Sequence, residues 1–407
     1  MPSIADDAEP LATLDVSDPE RFRCGGHWSV FARLRREAPV HYCANSAYGP
    51  YWSVMRHDDI VRVEKDPAIY SSQGNIIIGD VPPEFDCTQA FATADPPVHA
   101  RERRPVVPCV SPPRLKALEA ETRAWIATIL DGLPRAETFD WGCRVARELT
   151  TRMAARLFDF PQHEREQLDR LYKVLVTTPT PDGLVTSWVE RDEALAAYRE
   201  RLLSLWRARV GQGGPDILSA LANDPGTASM GADPMRLVGT VSLIAGANEA
   251  AQAALSGCVV AFDRYPEQWA SLKQAPGLID NAVEEIVRWQ SPITHMRRTA
   301  TEDTELRDQT IRAGDKVVLW YCSANRDETV FDDGDQLRVD RPNARRHLGY
   351  GSGIHRCLGH HVARFELGLL LEAMLVRFDR IEVVDRAEPL ASNFSSNYRE
   401  VRVRVFD

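Results

Sequence analysis

A stretch of apolar residues from about residue 234 to residue 262 predicts a long buried helix. Its apolar side chains occupy nearly every side of a helical wheel, which is typical of a helix inside a protein core. Asp233-Pro234 suits the start of this helix, because aspartate caps free N–H groups and proline fits the first turn. Four residues near the middle interrupt the apolar pattern: Gly246, Asn248, Glu249 and Gln252. A buried carboxylate is unstable without a partner or a function, so this interruption is a candidate site.

Helical periodicity also dominates the rest of the chain, and a few short strands are predicted. Residues 51–55 alternate like a strand and are followed by a helical pattern, and residues 114–175 have helical spacing. Late strands are predicted at residues 316–321 and at residues 401–405, where valine alternates with arginine. The overall balance is mainly α, with small antiparallel β-sheets.

Three segments fall outside this regular pattern. Residues 72–97 are rich in Gly, Pro and Asp and predict a long loop, which inside a compact domain is often functional. Residues 177–183 break the helical pattern, and another helix is expected from about Val185. Residues 1–25 are acidic and are expected to be loosely ordered.

Composition narrows the class of protein. The chain has 407 residues, of which 44% are hydrophobic, enough for a large buried core. Its formal net charge of −10 argues against a nucleic-acid partner. The N-terminal sequence has neither a basic start nor an apolar segment, and apolar runs elsewhere are interrupted by polar residues. None of the 8 cysteines form a Cys-x-x-Cys pair, so zinc and iron–sulfur sites are not indicated. We therefore expect a soluble, cytoplasmic protein without a membrane anchor.

Residues 347–365 combine a glycine-rich loop, one cysteine and the start of a helix. Gly351 and Gly353 precede Cys357, and Gly359 follows it. Glycine lets the backbone take a positive φ and lets another group approach closely. The helical spacing that follows places Cys357 near a helix N-terminus, where free N–H groups favour a thiolate. Such a thiolate suits a haem iron, and the alternative is a buried free cysteine in a helix-capping loop.

The same segment resembles the cytochrome P-450 signature Phe-Gly-x-Gly-x-His-x-Cys-x-Gly. The matching residues are Tyr350, Gly351, Gly353, His355, Cys357 and Gly359. Tyr350 replaces the usual phenylalanine and adds a hydroxyl to the ring over the thiolate. The resemblance implies a single domain over residues 1–407 with the cytochrome P-450 fold, a helical triangular prism. It also implies a buried haem b (iron protoporphyrin IX) with Cys357 as the axial ligand of the iron.

Two further motifs carry basic groups, and the resemblance implies that these groups bind the haem propionates. His99 and Arg103 lie four residues apart on one predicted helix face, where two donors can bind a carboxylate together. Arg298, in the segment Met-Arg-Arg-Thr-Ala, matches the other propionate arginine of the family. The resemblance implies that these residues and His355 bind the propionates, and the alternative for each is an ordinary surface base.

A third motif, Glu-x-x-Arg, is formed by Glu285 and Arg288. Residues three apart share a helix face and can pair, although such pairs are usually solvated and weak. In the family an arginine from the segment before the cysteine joins this pair, and Arg341 is the candidate here. The three residues are therefore expected to have a structural role.

The middle of the predicted helix resembles the oxygen-activating segment of the family, where a glycine turn precedes an acid and then usually threonine. Gly246 provides the turn, Glu249 the acid, and Ala250 occupies the threonine position. A shift of one residue would instead place Asn248 at the acid and Glu249 at the alcohol. The spacing to Glu285 favours the first register. Proton delivery is expected through Glu249 and ordered water. The missing hydroxyl is replaced either by an oxygen or nitrogen of the substrate near the attacked carbon, which we favour, or by water held by Glu249, Asn248 and Gln252.

The wider sequence is similar to soluble bacterial medium-chain alkane and fatty-acid hydroxylases of this superfamily. The similarity is weakest at residues 72–97 and 176–235, which in the family shape the substrate pocket. Seven residues are candidates for the pocket and could equally be plain core: Leu243, Ala247, Ala250, Ile293, Thr294, Met296 and Phe394.

The resemblance implies a monooxygenase that uses O₂ to hydroxylate or otherwise oxidise a hydrophobic small molecule. We expect a monomer that receives electrons from NAD(P)H through a reductase and a 2Fe–2S ferredoxin. The ferredoxin would dock on a basic face formed by eight arginines: Arg101, Arg103, Arg104, Arg341, Arg345, Arg346, Arg356 and Arg364. Solubility and propionate binding are the alternative reasons for these charges. Because the usual threonine is missing at Ala250, dehydration, isomerisation, coupling or peroxide-driven oxidation is an alternative chemistry. A non-catalytic haem-binding module is a further alternative.

Overall fold

The computed structural model describes residues 9–80, 90–176, 179–181 and 183–407, and helices dominate it. In the first half the helices are α1 (Pro19–Cys24), α2 (His27–Glu37), α3 (His57–Glu64), α4 (Val98–Arg103), α5 (Pro112–Asp131), α6 (Glu148–Phe158), α7 (Arg165–Val176) and α8 (Trp188–Arg209). In the second half they are α9 (Ile217–Asn223), α10 (Pro234–Ala245), α11 (Ala247–Arg264), α12 (Pro266–Gln274), α13 (Ile279–Gln290), α14 (Tyr321–Ala324) and α15 (His360–Arg377).

Short strands form small sheets beside these helices. The strands are β1 (Val40–Cys43), β2 (Tyr51–Val54), β3 (Tyr70–Ser71), β4 (Phe139–Asp140), β5 (His295–Ala300), β6 (Thr304–Leu306), β7 (Gln309–Ile311), β8 (Lys316–Trp320), β9 (Arg380–Val383) and β10 (Arg402–Phe406). One sheet has the order β1-β2-β8-β5-β3, a second has the order β4-β10-β9, and β6 pairs with β7. The sheets were predicted to be antiparallel, and one pair differs, since β2 runs parallel to β8.

The predicted strands are confirmed in place. β2 and β8 lie within the strands predicted at residues 51–55 and 316–321, and the helix expected after β2 is α3. In β10 the valines are buried and alternate with arginines, so its sequence pattern reports one buried face. The helix expected from about Val185 begins at Trp188, where the Ser187 hydroxyl accepts a hydrogen bond from the Glu190 N–H.

The long apolar stretch forms two consecutive helices, α10 and α11, instead of the single helix predicted. Its start is as predicted, because the Asp233 side chain accepts from the Arg236 N–H at 3.2 Å. The two helices meet at Gly246, and the Glu249 N–H donates there to the Gly246 carbonyl, three residues earlier. Glycine is a weak helix former, so the turn falls at this residue. By length and composition residues 234–264 could cross a membrane, but 65% of their most apolar window is buried inside the protein.

The expectation of loose order at residues 1–25 is wrong for the part that the structure describes. Leu14 and Val16 are buried and pack with Phe31 and Trp320, so apolar residues anchor this acidic segment. The long loop at residues 72–97 is borne out in its described parts, which contain only the short turn Phe91–Thr93. Within the break predicted at residues 177–183, residues 177–178 and 182 lie outside the described residues.

The helices around the cavity form the centre of the molecule. α11 packs against α13, α13 packs against α15, and α15 packs against α5. The loop before α15 and the helices α10 and α11 line one cavity, and Cys357 is one of its lining residues. The fold therefore brings the cysteine loop and the interrupted helix to the same cavity, although they lie about a hundred residues apart in the sequence.

Candidate active site

The loop before α15 holds Cys357 against the cavity. The Cys357 N–H donates to the Tyr350 carbonyl at 2.8 Å. Gly351 and Gly353 have φ of 63° and 64°, the left-handed region that favours glycine. A Cβ at Gly353 would also collide with the carbonyl of Glu64. Glycine is therefore required for this loop to pack so closely.

Two opposing effects act on the Cys357 thiol. Burial is the larger effect and raises its pKa, whereas the Gly359 N–H and the charge of Arg103 lower it. The predicted influence of free N–H groups is present, but burial outweighs it. A cation bound at the sulfur would favour the thiolate, which is the behaviour expected of a metal ligand.

Four nitrogen-bearing side chains converge at another edge of the cavity. Arg103, Arg298 and His355 line it, and the His99 ring lies 4.4 Å from the His355 ring. Nε2 of both histidines is buried without a hydrogen-bond partner among the described residues. Burial, with the charges of Arg298 and other neighbours, lowers the pKa of His355 to about 3. Unpaired nitrogens in a positive potential fit a ligand with carboxylates, as haem propionates are.

Glu64 connects this cluster to the cysteine loop, and the sequence did not single it out. Its Oε1 accepts from the Tyr321 hydroxyl and, at 3.5 Å, from Arg298, while its Oε2 accepts from the Ser352 N–H at 2.7 Å. Burial raises the pKa of Glu64. At the end of α3 this residue is indistinguishable from a surface glutamate by sequence, because its partners lie far away along the chain.

The Glu-x-x-Arg pair lies in the core, so the alternative of a solvated surface pair is wrong. Arg288 donates to both oxygens of Glu285, at 2.7 and 2.8 Å, and Arg341 Nε lies 3.0 Å from each of them. All three side chains are buried. Arg288 also donates to the carbonyls of Asn325 and Gly334. The network ties α13 to the segment before the cysteine loop.

Most of the residues that line the cavity together with Cys357 are apolar. Five predicted pocket residues are among them: Leu243, Ala250, Ile293, Met296 and Phe394. Thr294 is a correction, because it is not a lining residue and its hydroxyl donates to the Asn393 carbonyl. The side chain of Ala247 lies outside what the structure describes. Further lining residues were not among the predicted pocket residues. Four belong to the irregular loop before α4, and two lie beside predicted pocket residues: Ile76, Ala90, Phe91 and Ala92 in the loop, and Ile244 and Pro292 elsewhere.

The junction of α10 and α11 distinguishes the two registers considered for the acid and the alcohol. Gly246, Asn248 and Ala250 line the cavity, and Glu249 does not. This arrangement favours the register with Ala250 at the usual threonine position. Glu249 lies to the side, and burial raises its pKa while Ser395 and Lys173 partly offset the effect.

Asn248 and Gln252 are held by Asp169 of α7. Both amides donate to Asp169 Oδ1 at 3.1 Å, and Lys173 Nζ lies 2.7 Å from Asp169 Oδ2. The expected role of these two amides in holding water is therefore corrected in part, since their NH₂ groups bind a carboxylate. Asp169 could not be found from the sequence, because nothing marks it among the other charges of α7.

The predicted basic face is only partly at the surface. Arg101, Arg104, Arg345, Arg346 and Arg356 are exposed. Arg341 is a correction, because the Glu285 network buries it. The remaining two arginines of the predicted face are also engaged inside the protein. Arg364 forms an ion pair with Glu284, and Arg103 lines the cavity.

Comparison with known proteins gives one consistent family. The family model described as cytochrome P450 matches residues 256–396. Linalool 8-monooxygenase of Pseudomonas putida is 33% identical over 405 residues, which cover 96% of this chain and 98% of that protein. The methyl-branched lipid omega-hydroxylase of Mycobacterium tuberculosis is 31% identical over 387 residues, covering 90% and 88%.

A solved structure agrees over the same length. Cytochrome P450-153 from Novosphingobium aromaticivorans superposes with a TM-score of 0.88 at 39% identity, covering 96% of this chain and 99% of that one.

Proposed function

Because this chain is a monooxygenase of the cytochrome P450 family, we propose that Cys357 would bind the iron of a haem b through its sulfur. The bound haem would supply the chemistry that hydroxylates a hydrophobic molecule. One observation carries the proposal: Cys357 and a cluster of basic side chains meet at one cavity whose lining residues are mostly apolar. Three members of the cluster, Arg103, Arg298 and His355, line the cavity, and the His99 ring lies against His355. Their nitrogens suit the two propionates.

A thiolate-ligated haem supplies the activation of O₂ when electrons and protons reach it. The chain's own residues hold and surround it. The glycine loop positions the Cys357 sulfur at the cavity, and Gly246, where α10 and α11 meet, lines the same cavity. Apolar side chains exclude water and orient the substrate by shape. Glu249 is the proposed proton donor, because its raised pKa lets its carboxyl hold a proton closer to neutral pH than an exposed glutamate would.

We propose that electrons come from NAD(P)H through a reductase and a 2Fe–2S ferredoxin. The exposed arginines around Cys357 and at the end of α4 support this, because they offer an acidic protein a positive surface. We also propose that residues 1–407 act as one domain and as a monomer in the cytoplasm. The free cysteines among the described residues suit a reducing compartment.

The substrate proposed is an apolar molecule of terpenoid or fatty type. The names of the similar proteins, a linalool monooxygenase and a methyl-branched lipid hydroxylase, support this class. The lining by Leu243, Ile293, Met296 and Phe394 supports it as well, since these side chains bind hydrocarbon.

A second chemistry is favoured by one observation, the methyl group of Ala250 on the cavity wall where the family usually has a hydroxyl. Reactions without net oxygen insertion need no hydroxyl at that position. Turnover under ¹⁸O₂ distinguishes the two proposals. We expect one ¹⁸O atom in each product molecule, and product formed without labelled oxygen would favour the second chemistry.

A further inference from the structure

Asn248 presents a hydrogen-bond acceptor that no group in the described structure satisfies. The residue is 7% exposed and lines the cavity. Its Oδ1 is buried without a hydrogen-bond partner among the described residues. An amide oxygen has two lone pairs, and leaving them unpaired in the interior is unfavourable. A donor from a bound molecule would remove that penalty.

Asp169 determines which end of the amide is free. The oxygen and nitrogen of an asparagine side chain are distinguished by their hydrogen-bond partners. Both oxygens of Asp169 already accept hydrogen bonds, Oδ1 from Gln252 at 3.1 Å and Oδ2 from Lys173 at 2.7 Å. Because a carboxylate only accepts hydrogen bonds, Asp169 can bind only the NH₂ end of Asn248, and Nδ2 of Asn248 lies 3.1 Å from Asp169 Oδ1. The oxygen is therefore the end left for the cavity.

The surroundings of this oxygen make its contact selective. Among the described lining residues of α10, α11 and the turn between them, only Asn248 has a polar side chain. The other lining residues of this segment are Leu243, Ile244, Ala245, Gly246, Ala250, Ala251 and Ala254. The lining residues Pro292, Ile293, Met296 and Phe394 are also non-polar, whereas Arg298 of β5 lines the cavity as part of the cluster with His355. A hydrogen bond in such a weakly polar space is strong, and an unmatched acceptor there is a larger penalty.

We propose that Asn248 Oδ1 accepts a hydrogen bond from a hydroxyl of the native substrate, an inference that rests on the proposed function. The native substrate is then a hydrophobic alcohol. A ketone, ester or ether of the same skeleton has no hydrogen to donate. An ionised carboxylate has no hydrogen to donate, and its oxygens would face the lone pairs of the amide oxygen, which repel it. Asn248 is thus a specificity-determining residue that selects alcohols over their hydrocarbons and ethers.

Binding of matched ligands to the haem-loaded full chain tests this. The dissociation constants of linalool and its methyl ether, and of a medium-chain alkanol and its methyl ether, are measured by calorimetry. We expect each alcohol to bind about tenfold more tightly than its ether, the effect of one buried hydrogen bond.

Two variants separate the acceptor from the Asp169 network. Asn248→Leu removes Oδ1 and the donation to Asp169. Gln252→Met removes an equivalent donation, also 3.1 Å long, from a residue that is not among the described lining residues. We expect the preference for alcohol to fall to near unity in Asn248→Leu and to persist in Gln252→Met.

Three results would overturn the inference. One is equal binding of alcohol and ether by the wild type, as when ordered water satisfies Oδ1. Another is a preference retained in Asn248→Leu, and the third is its loss in both variants, which would assign the effect to the Asp169 network. Failure of the proposed function would appear elsewhere, as product without label under ¹⁸O₂, because calorimetry reads binding independently of oxygen chemistry.

Discussion

Ala250 places a methyl group on the cavity wall where the family usually has the threonine hydroxyl that holds water for proton delivery. Another group must therefore hold that water. A hydroxyl on the substrate, or water near Glu249, can take that role. Without either, reduced oxygen leaves as peroxide. Coupling of electrons to product should therefore depend on the substrate more strongly than in an enzyme that carries the threonine.

The prediction is that Ala250→Thr improves coupling with a plain alkane. A new buried hydroxyl contributes one hydrogen bond, about 1 kcal/mol, equivalent to a several-fold change in the ratio of product to peroxide. NAD(P)H consumed, peroxide released and product formed are measured for an alkane and for the alcohol of equal length. Wild type should couple the alcohol well and the alkane poorly. Equally tight coupling of both would refute the dependence on substrate, and no gain in the variant would favour the other register.

Glu366 predicts a pH dependence of stability. It is buried in the cavity wall, its Oε1 has no partner among the described residues, and burial raises its pKa from 4.5 to about 8. The unfolded carboxyl loses its proton above 4.5 and the folded one only near 8, so this group's contribution to stability is lost as pH rises between them.

Glu366→Gln should abolish that contribution, because glutamine does not titrate. Between pH 5 and pH 7.5 the free energy of unfolding of the wild type should fall relative to the variant by on the order of 2–3 kcal/mol. Urea unfolding at the two pH values measures it. Parallel pH profiles for the two proteins would contradict the assignment.

At the scale of elements, comparison of α10 and α11 with the sequence shows which features of a helix can be predicted from a sequence pattern. The start of α10 was predictable because Asp233 and Pro234 act locally. The division at Gly246 did not follow from the apolar pattern, which reports burial and not continuity, and only the family resemblance indicated a turn there. Cys357 and its glycines were found because they are adjacent in sequence. Glu64 and Asp169 were missed because their roles come from partners brought near only by folding.

The Glu285 network is a buried polar connection between α13 and the loop segment before Cys357. Glu285→Ala leaves two buried guanidinium groups without their carboxylate, which costs about 3–5 kcal/mol. We expect this variant to unfold at much lower urea concentration or to fail to accumulate. Glu121→Ala is the control, because Glu121 pairs with Arg156 near the surface and such pairs contribute little. Similar stability losses in the two variants would contradict the role assigned to the network.

At the scale of the whole molecule, charge is distributed unevenly. The net charge is −10, yet exposed arginines cluster around the cysteine loop and at the end of α4. The proposed ferredoxin should use this surface, because opposite charges accelerate encounter and salt screens them. Arg345 is the better site to test, since Arg104 is already paired with Asp224 at 3.0 Å.

Arg345→Glu should slow reduction by ferredoxin by about tenfold at low salt and flatten the salt dependence of the rate. Arg386→Glu makes the same charge change at an exposed residue after β9 and is the control. Stopped-flow reduction at several ionic strengths measures both. Substrate affinity should stay constant in each variant. Unaltered kinetics in Arg345→Glu, or equal slowing in the control, would refute the docking face.

The central claim is that Cys357 binds a haem iron through its sulfur, and the absorption spectrum of the reduced carbon monoxide complex tests it most directly. The wild type should show the band typical of a thiolate-ligated haem. Cys357→Ser should lose that band, whereas Cys258→Ser, at a buried cysteine that does not line the cavity, should keep it. A band that survives in Cys357→Ser, or that is absent from the wild type, would contradict the account.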